Sequence, residues 1–336
     1  MRILYDISDI PADLRGSVVA LGNFDGVHCG HLSVLSHVRN VATEYGLPSG
    51  VVTFTPHPRL YLRQEKLLFT ITPLEQKLCL LEALELDFTN ILKFDASLAC
   101  LSAEEFVKII IVESWQASHV AVGYNFFFGK DKKGTPEILQ DLGKKYGYGV
   151  TIIEPAGNGR DVFSSSAVRD FLRLGKVRKA AEILGHWWIV SGIVEHGARR
   201  GKSMGYPTAN VTLEPGQALK HGIYAVRVWV DGERFNGAAY CGRRPTFDNG
   251  VAKLEVFLMN FNKLLYNNKV YIEFIEFIRS DKLFGGPEAL ASQIARDCMV
   301  AREILERTNS ADPMSGYPLG EAMVQRIKSD HKLGSA

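Results

Sequence analysis

Apolar residues in the first half of the chain occur either in short runs or at helical spacing. The run 18–21 (VVAL) predicts a buried strand, and a helix is predicted next by the spacing of Val34, Leu35, Val38, Val41 and Ala42. Further strands are predicted at 51–54, 88–94, 119–123 and 150–153, with helices at 73–86, from Ser102 towards Trp115, and from Thr135. Strands alternating with helices predict a parallel, doubly wound sheet that is covered on both faces.

The pattern of the second half is different. Two short helices, 166–174 and 177–184, are each predicted to end at a glycine, and short apolar runs separated by turns follow at 193–194, 224–230, 237–240, 254–258 and 271–278. Turn signals at 231–232, 248–250 and 267–268 favour antiparallel pairing. We therefore predict a small β-barrel followed by a helix over 287–307. The predicted domains are 1–186 and 187–310, with a tail of unknown role over 311–336.

Composition restricts the class of protein. A length of 336 residues exceeds the usual size of one domain, and 46% hydrophobic with 23% charged residues is typical of a globular protein. The net charge of +2 requires no nucleic-acid partner, and no apolar run reaches the about 18 to 20 residues that span a bilayer. The beginning of the sequence has no signal-peptide pattern, and five scattered cysteines fit reduced thiols. We expect a cytoplasmic protein that needs neither nucleic acid nor a membrane.

The turn at residues 22–31 (GNFDGVHCGH) is the candidate site of the first half. It connects a predicted strand to a predicted helix, a geometry that presents backbone N–H groups and the positive end of a helix dipole to a polyphosphate. His28 and His31 would stand at the mouth of that site. Two alternatives stay open: a metal site formed by His28, Cys29 and His31, and a structural turn with incidental histidines.

The same ten residues resemble the GNFDGVHxGH signature of the bacterial bifunctional riboflavin kinase/FMN adenylyltransferase (FAD synthetase) family. The resemblance implies an α/β Rossmann-like nucleotidyltransferase domain followed by a small antiparallel β-barrel riboflavin kinase domain with a C-terminal helix. It implies that the C-terminal half phosphorylates riboflavin to FMN and that the N-terminal half adenylylates FMN to FAD. ATP would be the co-substrate and Mg²⁺ the cofactor. The alternatives are an adenylyltransferase with a weakened or inactive kinase module, and a flavin-binding protein without turnover.

The resemblance also implies roles for residues of the first half. His28 and His31 would stabilise the reacting phosphorus and the leaving group. Nucleotide or flavin would contact residues of the signature turn, of a TFxPHP-like turn, of a segment (123–134) similar to GxxFxFGxxxxG, and of a segment (163–169) similar to ISSTxIR. These residues are Gly22, Asn23, Phe24, Asp25, His57, Asn125, Ser164, Ser165 and Arg169. The three phenylalanines 126–128 are interpreted either as a wall for an aromatic ring or as core.

For the second half, residues 202–210 (KSMGYPTAN) resemble the riboflavin kinase signature GRxLGFPTAN. The resemblance implies that Gly201 and Gly205 belong to a flap over ATP, that Arg243 binds nucleotide or flavin, and that Mg²⁺ is held by Thr208 and Asn210. Glu255, on a strand similar to LExHL, would be the general base. A plain turn and a solvated strand glutamate remain the structural alternatives.

One motif is rejected and three positions depart from the family pattern. Residues 197–203 are not a P-loop, because three residues rather than four separate the glycines and because Gly205 and Pro207 exclude the following helix. When 241–247 (CGRRPTF) is compared with NIGxRPTF, we take Cys241 to replace the asparagine; Phe257 and Asn260 stand at a usual histidine and aspartate. Since the implied kinase residues are kept, we expect kinase activity. A homo-oligomer stays open.

Overall fold

The computed structural model describes residues 1–62, 68–157, 159, 162–196, 205–214, 216–243 and 252–333, and side chains are described for these except at 243, 252 and 330–333. The chain divides into two compact units, Met1–Ser165 and Ser166–Ala336. Our domain boundary after residue 186 stays a prediction.

The first unit is built on a six-stranded parallel sheet. Its strands are β1 (Arg2–Tyr5), β2 (Val18–Leu21), β3 (Ser49–Thr55), β4 (Phe88–Lys93), β5 (His119–Gly123) and β6 (Gly149–Ile153), in the spatial order β1-β4-β3-β2-β5-β6. The order reverses between β2 and β5, and ligands of doubly wound sheets bind beyond the carboxyl ends of strands at such a switch point. This sheet confirms the predicted α/β fold.

Helices connect these strands, and their ends follow local sequence chemistry. They are α1 (Cys29–Tyr45), α2 (Pro58–Leu62), α3 (Leu74–Glu82), α4 (Ala96–Cys100), α5 (Ala103–Phe106, continued as a π-helix over Val107–Ser114) and α6 (Pro136–Tyr146). The predicted capping box of α5 is present, since Ser102 and Glu105 exchange side-chain-to-backbone hydrogen bonds. The Thr135 hydroxyl accepts the Ile138 N–H at the start of α6, as predicted.

The second unit contains a curled antiparallel sheet. Its strands are β7 (Trp188–Ile193), β8 (Thr208–Thr212), β9 (Gly222–Val230), β10 (Glu233–Arg243), β11 (Ala252–Leu258) and β12 (Lys269–Arg279), in the order β7-β12-β9-β10-β11-β8. The two edge strands approach each other, because the Glu195 N–H just beyond β7 donates to the Asn210 carbonyl of β8 at 2.8 Å. The sheet is therefore barrel-like, which agrees with the predicted antiparallel second half.

Helices α7 (Ser165–Arg173) and α8 (Val177–Leu184) precede this sheet, and the long helix Pro287–Ser310 packs on its outer face. Apolar contacts join Cys298, Ala301 and Leu305 of that helix to Ala225 and Ala238 of the sheet. The predicted helix 287–307 is confirmed and extends three residues further.

A further helix, Pro318–Leu333, lies within the predicted tail, where turn-forming residues concealed it from the sequence analysis. A buried ion pair anchors the segment that leads to it. Asp312 contacts Arg227, which is 1% exposed, and Asp312 also accepts the Trp187 indole N–H at 3.0 Å. The tail is thus tied to the outer face of the sheet.

Candidate functional site

In the first unit, helix α1 begins at the end of the turn after β2, and His28 is its N-cap residue. The His28 N–H donates to His31 Nδ1 at 3.2 Å, and the His31 N–H donates to His28 Nδ1 at 3.3 Å. A nitrogen that accepts a hydrogen bond carries no proton, so each neutral ring holds its proton on Nε2. The capping geometry therefore assigns the proton of both rings to Nε2; His28 is buried, with 5% of its surface exposed.

The two imidazoles lie close together and are fixed by their surroundings. Their ring centroids are 3.6 Å apart with an interplanar angle of 20°, and the edge of Phe24 contacts the His31 ring with centroids 5.1 Å apart. Gly30 permits this packing. A Cβ atom at Gly30 would lie 2.8 Å from the Phe163 carbonyl oxygen and 3.0 Å from the His28 ring.

Asp25 has a structural task in this turn. Its carboxylate is buried and accepts backbone N–H groups of Ile71 and Thr72 at 3.1 to 3.2 Å. The Asp25 carbonyl oxygen accepts the Ser165 hydroxyl at 2.8 Å, which brings the signature turn and the serine segment together. Contact of Asp25 with nucleotide stays a prediction.

Lys77 of α3 was not among the predicted site residues. It is only 7% exposed, and its Nζ donates to the Asn23 carbonyl oxygen at 2.8 Å. Thr53 donates to the same oxygen at 3.2 Å. The sequence held one signal for Lys77, because it shares the apolar face of its helix with Leu80 and Leu81, three and four residues later.

Burial changes the acidity of two groups here. It lowers the pKa of His31 well below the usual histidine value, and the nearby charges of His28 and Lys77 add to that effect. Burial also lowers the pKa of Lys77, against the attraction of Asp25. His31 is thus a neutral donor in the folded protein at neutral pH.

The other predicted residues of this half lie near the carboxyl ends of neighbouring strands. Gly22 directly follows β2, and a Cβ atom added there would lie 3.0 Å from the Phe24 ring. His57 follows β3, is half-buried, and accepts the Arg59 N–H on Nδ1 at 3.1 Å. Asn125 lies two residues beyond β5 and is exposed. Ligands of doubly wound sheets bind beyond the carboxyl ends of the strands, and contact of these residues with nucleotide or flavin stays a prediction.

The three phenylalanines separate into two groups. Phe126 and Phe128 stack with centroids 5.6 Å apart and pack in the core. Phe127 is 53% exposed. The core interpretation therefore applies to two of them, and Phe127 is the ring that remains accessible.

Ser164 and Ser165 are half-buried at the beginning of α7, whereas Arg169, one turn further along that helix, is buried and belongs to the second unit.

In the second unit, the register of three strands gathers the predicted kinase residues on one face. Glu255 of β11 pairs directly with Asn210 of β8 on one side and with Tyr240 of β10 on the other. Residues two apart on a strand share a face, so Thr208 lies on the same face as Asn210. The Asn210 amide N–H donates to the Thr208 carbonyl at 3.3 Å, which leaves the amide Oδ1 for another partner.

The comparison of 241–247 with NIGxRPTF is wrong by one residue. Counting NIGxRPTF back from Arg244 and Pro245 puts Tyr240 at the asparagine and Cys241 at the isoleucine. Tyr240 is on the face of Glu255, whereas Cys241 points to the opposite, buried face, and burial raises the pKa of its thiol to about 12. Cys241 is a core residue.

The other two departures also have local explanations. Phe257 packs edge-on against Tyr206, with ring centroids 5.2 Å apart. Asn260 adopts a left-handed conformation (φ 57°) after β11, which asparagine tolerates better than most residues. Phe257 pairs with Thr208 across β11 and β8, and Glu255 pairs with Asn210 in the same register.

Three further predictions concern the loops of this unit. Gly201 and the rejected P-loop 197–203 lie outside the described residues, although strand β8 rather than a helix follows them after Pro207. Gly205 is exposed in a turn with φ 82°. Arg243 ends β10, and only its backbone is described.

In the described residues, no group of three or more His, Cys, Asp and Glu side chains could hold a metal ion, so the alternative of a site at His28, Cys29 and His31 gains no support. Thr208 and Asn210 offer neutral oxygen donors, which suit Mg²⁺. Among the described helices, none has the length and apolar character needed to cross a membrane.

Comparisons with known proteins agree with this division of the chain. The family model described as FAD synthetase matches residues 10–167, and that described as Riboflavin kinase matches residues 184–305. A Bacillus subtilis protein named bifunctional riboflavin kinase/FMN adenylyltransferase is 38% identical over 84% of this chain and 90% of its own. An Escherichia coli K12 protein of the same name is 34% identical over 93% and 99%.

A similar fold is also found among solved structures. A chain described as a macrolide-efflux protein from Streptococcus pneumoniae has a TM-score of 0.80 and 28% sequence identity, and the match covers 90% of this chain and 99% of that one.

Proposed function

This chain belongs to the bifunctional riboflavin kinase/FMN adenylyltransferase family, and from that premise we propose how its own residues carry out the two reactions. The first unit adenylylates FMN, and the second phosphorylates riboflavin. The two reactions use separate residues: imidazoles at a helix mouth in one unit, and a strand carboxylate in the other.

In adenylyl transfer, a phosphate oxygen of FMN attacks the α-phosphorus of ATP, and the bond from that phosphorus to the pyrophosphate oxygen breaks. Both reactants are already activated, so alignment and charge stabilisation supply the catalysis. The Nε2–H groups of His28 and His31 donate to the oxygens that gain charge. Gly22, Asn23, Phe24, Asp25, His57, Asn125, Ser164, Ser165 and Arg169 are proposed to bind nucleotide or flavin.

In the kinase reaction, Glu255 accepts the proton of the riboflavin 5′-hydroxyl while that oxygen attacks the γ-phosphorus, and ADP leaves. Thr208 and Asn210 are the residues that would hold Mg²⁺, which when bound shares the negative charge of the polyphosphate. Gly201, Gly205 and Arg243 are proposed to contact ATP or flavin. Glu255 and Asn210 face each other directly across two paired strands, which supports a shared site.

The observation that carries the proposal for the first unit is the reciprocal pair of hydrogen bonds between His28 and His31. Because each ring caps the start of α1, the pair accounts for two histidines three residues apart at the switch point of the sheet. Because each Nδ1 accepts a hydrogen bond, each neutral ring carries its proton on Nε2 and can donate from there. Free thiols at all five cysteines support our proposal of a cytoplasmic location, with riboflavin, FMN and ATP as the small-molecule partners.

A time course with riboflavin and Mg·ATP tests the function. Chromatography should show FMN first and FAD later, with pyrophosphate released in proportion to FAD. Formation of FAD from supplied FMN without any FMN from riboflavin would instead support the weakened-kinase alternative. Tight flavin binding without ATP consumption would contradict both enzymatic functions.

A further inference from the structure

Lys77 is a buried cation that the proposed mechanism has not used. Its side chain is 7% exposed and it shares a helix face with Leu80 and Leu81, which are fully buried. Removing an ammonium group from water is costly unless it gains strong partners. The neutral Asn23 carbonyl, 2.8 Å from Nζ, is one such partner, and the charge of Asp25 favours the protonated form of Lys77.

That compensation is incomplete. The Asp25 carboxylate is already engaged by the backbone N–H groups of Ile71 and Thr72. An ammonium has three donors, and within the described chain the Asn23 carbonyl oxygen is the acceptor to which Lys77 donates. The Asn23 Oδ1 atom, in the same turn, is also buried and has no hydrogen-bond partner among the described residues. Unpaired buried polar atoms at one place point to a polar ligand or water that completes them.

Burial lowers the pKa of His31, and the charges of His28 and then Lys77 add to that effect. The titratable groups that act on His31 are His28, stacked on its ring, and Lys77 from the packed helix α3, while Asp25 faces Lys77. Both neighbours of His31 oppose a second proton on its imidazole. A proton on Nδ1 would also remove the acceptor of the His28 N–H.

We propose that Lys77 is a positioning residue of the adenylyltransferase site, which fixes the Asn23 carbonyl and keeps His31 in the neutral form whose Nε2–H faces a nucleotide polyphosphate. The statement that His31 faces a nucleotide polyphosphate rests on the proposed adenylyltransferase function. The effect of Lys77 on His31 does not, since it follows from their placement in the free protein.

The test compares Lys77→Met with Lys93→Met in the full chain. Methionine keeps most of the side-chain volume and removes the charge, and Lys93 is a 69% exposed lysine of the same unit that serves as the matched control. The His31 ring is titrated by NMR without ATP or flavin, and its signal is assigned with His31→Asn. We expect the titration midpoint of His31 to rise in Lys77→Met, because one of the charges that oppose its protonation is removed, and to stay unchanged in Lys93→Met.

A second readout is the rate of FAD formation from FMN as a function of pH. Its acidic limb should move upward with the His31 midpoint in Lys77→Met, and Lys77→Arg should return both towards wild type. Riboflavin phosphorylation in the same samples reports whether the second unit is intact. If Lys77→Met fails to fold, Lys77→Gln, which is also uncharged and of similar length, replaces it.

An unchanged His31 midpoint in a folded, uncharged variant would overturn the proposal, and so would a loss of rate that is equal at every pH, because a merely structural lysine gives that result. A failure of the proposed adenylyltransferase function can be distinguished from a failure of the role of Lys77. Full FAD formation by His31→Asn would contradict the role of His31 in adenylyl transfer, whereas the titration in the free protein would still report the effect of Lys77.

Discussion

The backbone N–H groups of His28 and His31 each donate to the ring Nδ1 of the other residue, so that one helix cap fixes the tautomers of both imidazoles. Glutamate or glutamine usually completes such a capping box. Here a histidine does so, and the ring brings a second nitrogen that the cap does not use. The same two side chains therefore cap the helix and form the candidate catalytic pair.

His28→Asn and His31→Asn separate these two tasks. The asparagine Oδ1 occupies the branch position of Nδ1 and can accept the same N–H, whereas the Nε2–H donor is lost. We expect the rate of FAD formation from FMN to fall about 10²- to 10³-fold in either variant, as for the loss of one preorganised donor. FMN formation from riboflavin should stay at the wild-type rate. Retained FAD formation in both variants would contradict donation by the two rings.

The lowered pKa of His31 predicts how stability depends on pH. The unfolded chain takes up a proton near the usual histidine pKa of about 6.5, whereas the folded protein does so only at lower pH. Neutral His31 therefore contributes fully to the free energy of unfolding above the unfolded-state pKa of about 6.5. That contribution is lost as the pH falls from there towards the folded-state pKa. The free energy of unfolding of wild type minus that of His31→Asn should shrink below about pH 6.5. Parallel curves would show that His31 titrates normally.

Gly30→Ala tests the close packing of the helix mouth. The added Cβ would lie 2.8 Å from a backbone oxygen and 3.0 Å from the His28 ring, and overpacking of this kind costs about 1 to 3 kcal/mol. Because the displaced ring is one of the two donors, we expect Gly30→Ala to lower the rate of FAD formation even at temperatures where the variant is fully folded. Gly285→Ala is the control, since nothing lies within 4 Å of its added Cβ. Thermal unfolding and FAD formation are the two measurements, and equal behaviour of the two variants would contradict the account.

Asp312→Asn tests the anchor of the last helix. It leaves Arg227, 1% exposed, with Glu273 at 3.6 Å as its remaining carboxylate partner among the described residues. Breaking a buried ion pair costs about 3 to 5 kcal/mol, and we expect the lower end because Asp312 is 20% exposed. Asp170→Asn removes the exposed partner of Arg173 and should change stability by at most about 0.5 kcal/mol. Denaturant unfolding compares them, and similar losses would show that the Asp312 contact contributes little.

Local sequence chemistry predicted much of this fold. The capping box at Ser102 and the N-cap Thr135 act within a few residues, and a buried strand such as 119–123 is recognisable from its apolar run. Strands β1 and β8 were missed, because a four-residue strand at a sheet edge and a strand that begins directly after Pro207 carry weak periodicity. Their pairing depends on partners distant in the chain.

Site residues that lie within one contiguous sequence motif could be predicted, whereas contacts between segments distant in the chain could not. His28 and His31 lie within one decapeptide, and Glu255 lies within one strand. Lys77 contacts the Asn23 carbonyl of the signature turn from helix α3, and the neighbours of Glu255 follow from strand register. The one-residue error at Cys241 has a different origin, because the eight positions of NIGxRPTF were compared with only seven residues, 241–247. A shift of one position moves a residue to the opposite face of a strand.

The central claim is that two independent sites on one chain act in sequence, and mixing two single variants tests it most directly. His31→Asn and Glu255→Gln are each incubated with riboflavin and Mg·ATP, separately and together, and the flavins are separated by chromatography. The account predicts that His31→Asn alone accumulates FMN, that Glu255→Gln alone leaves riboflavin unchanged, and that the mixture forms FAD because FMN passes between molecules. Loss of both reactions in either variant, or a folded mixture that forms no FAD, would contradict it.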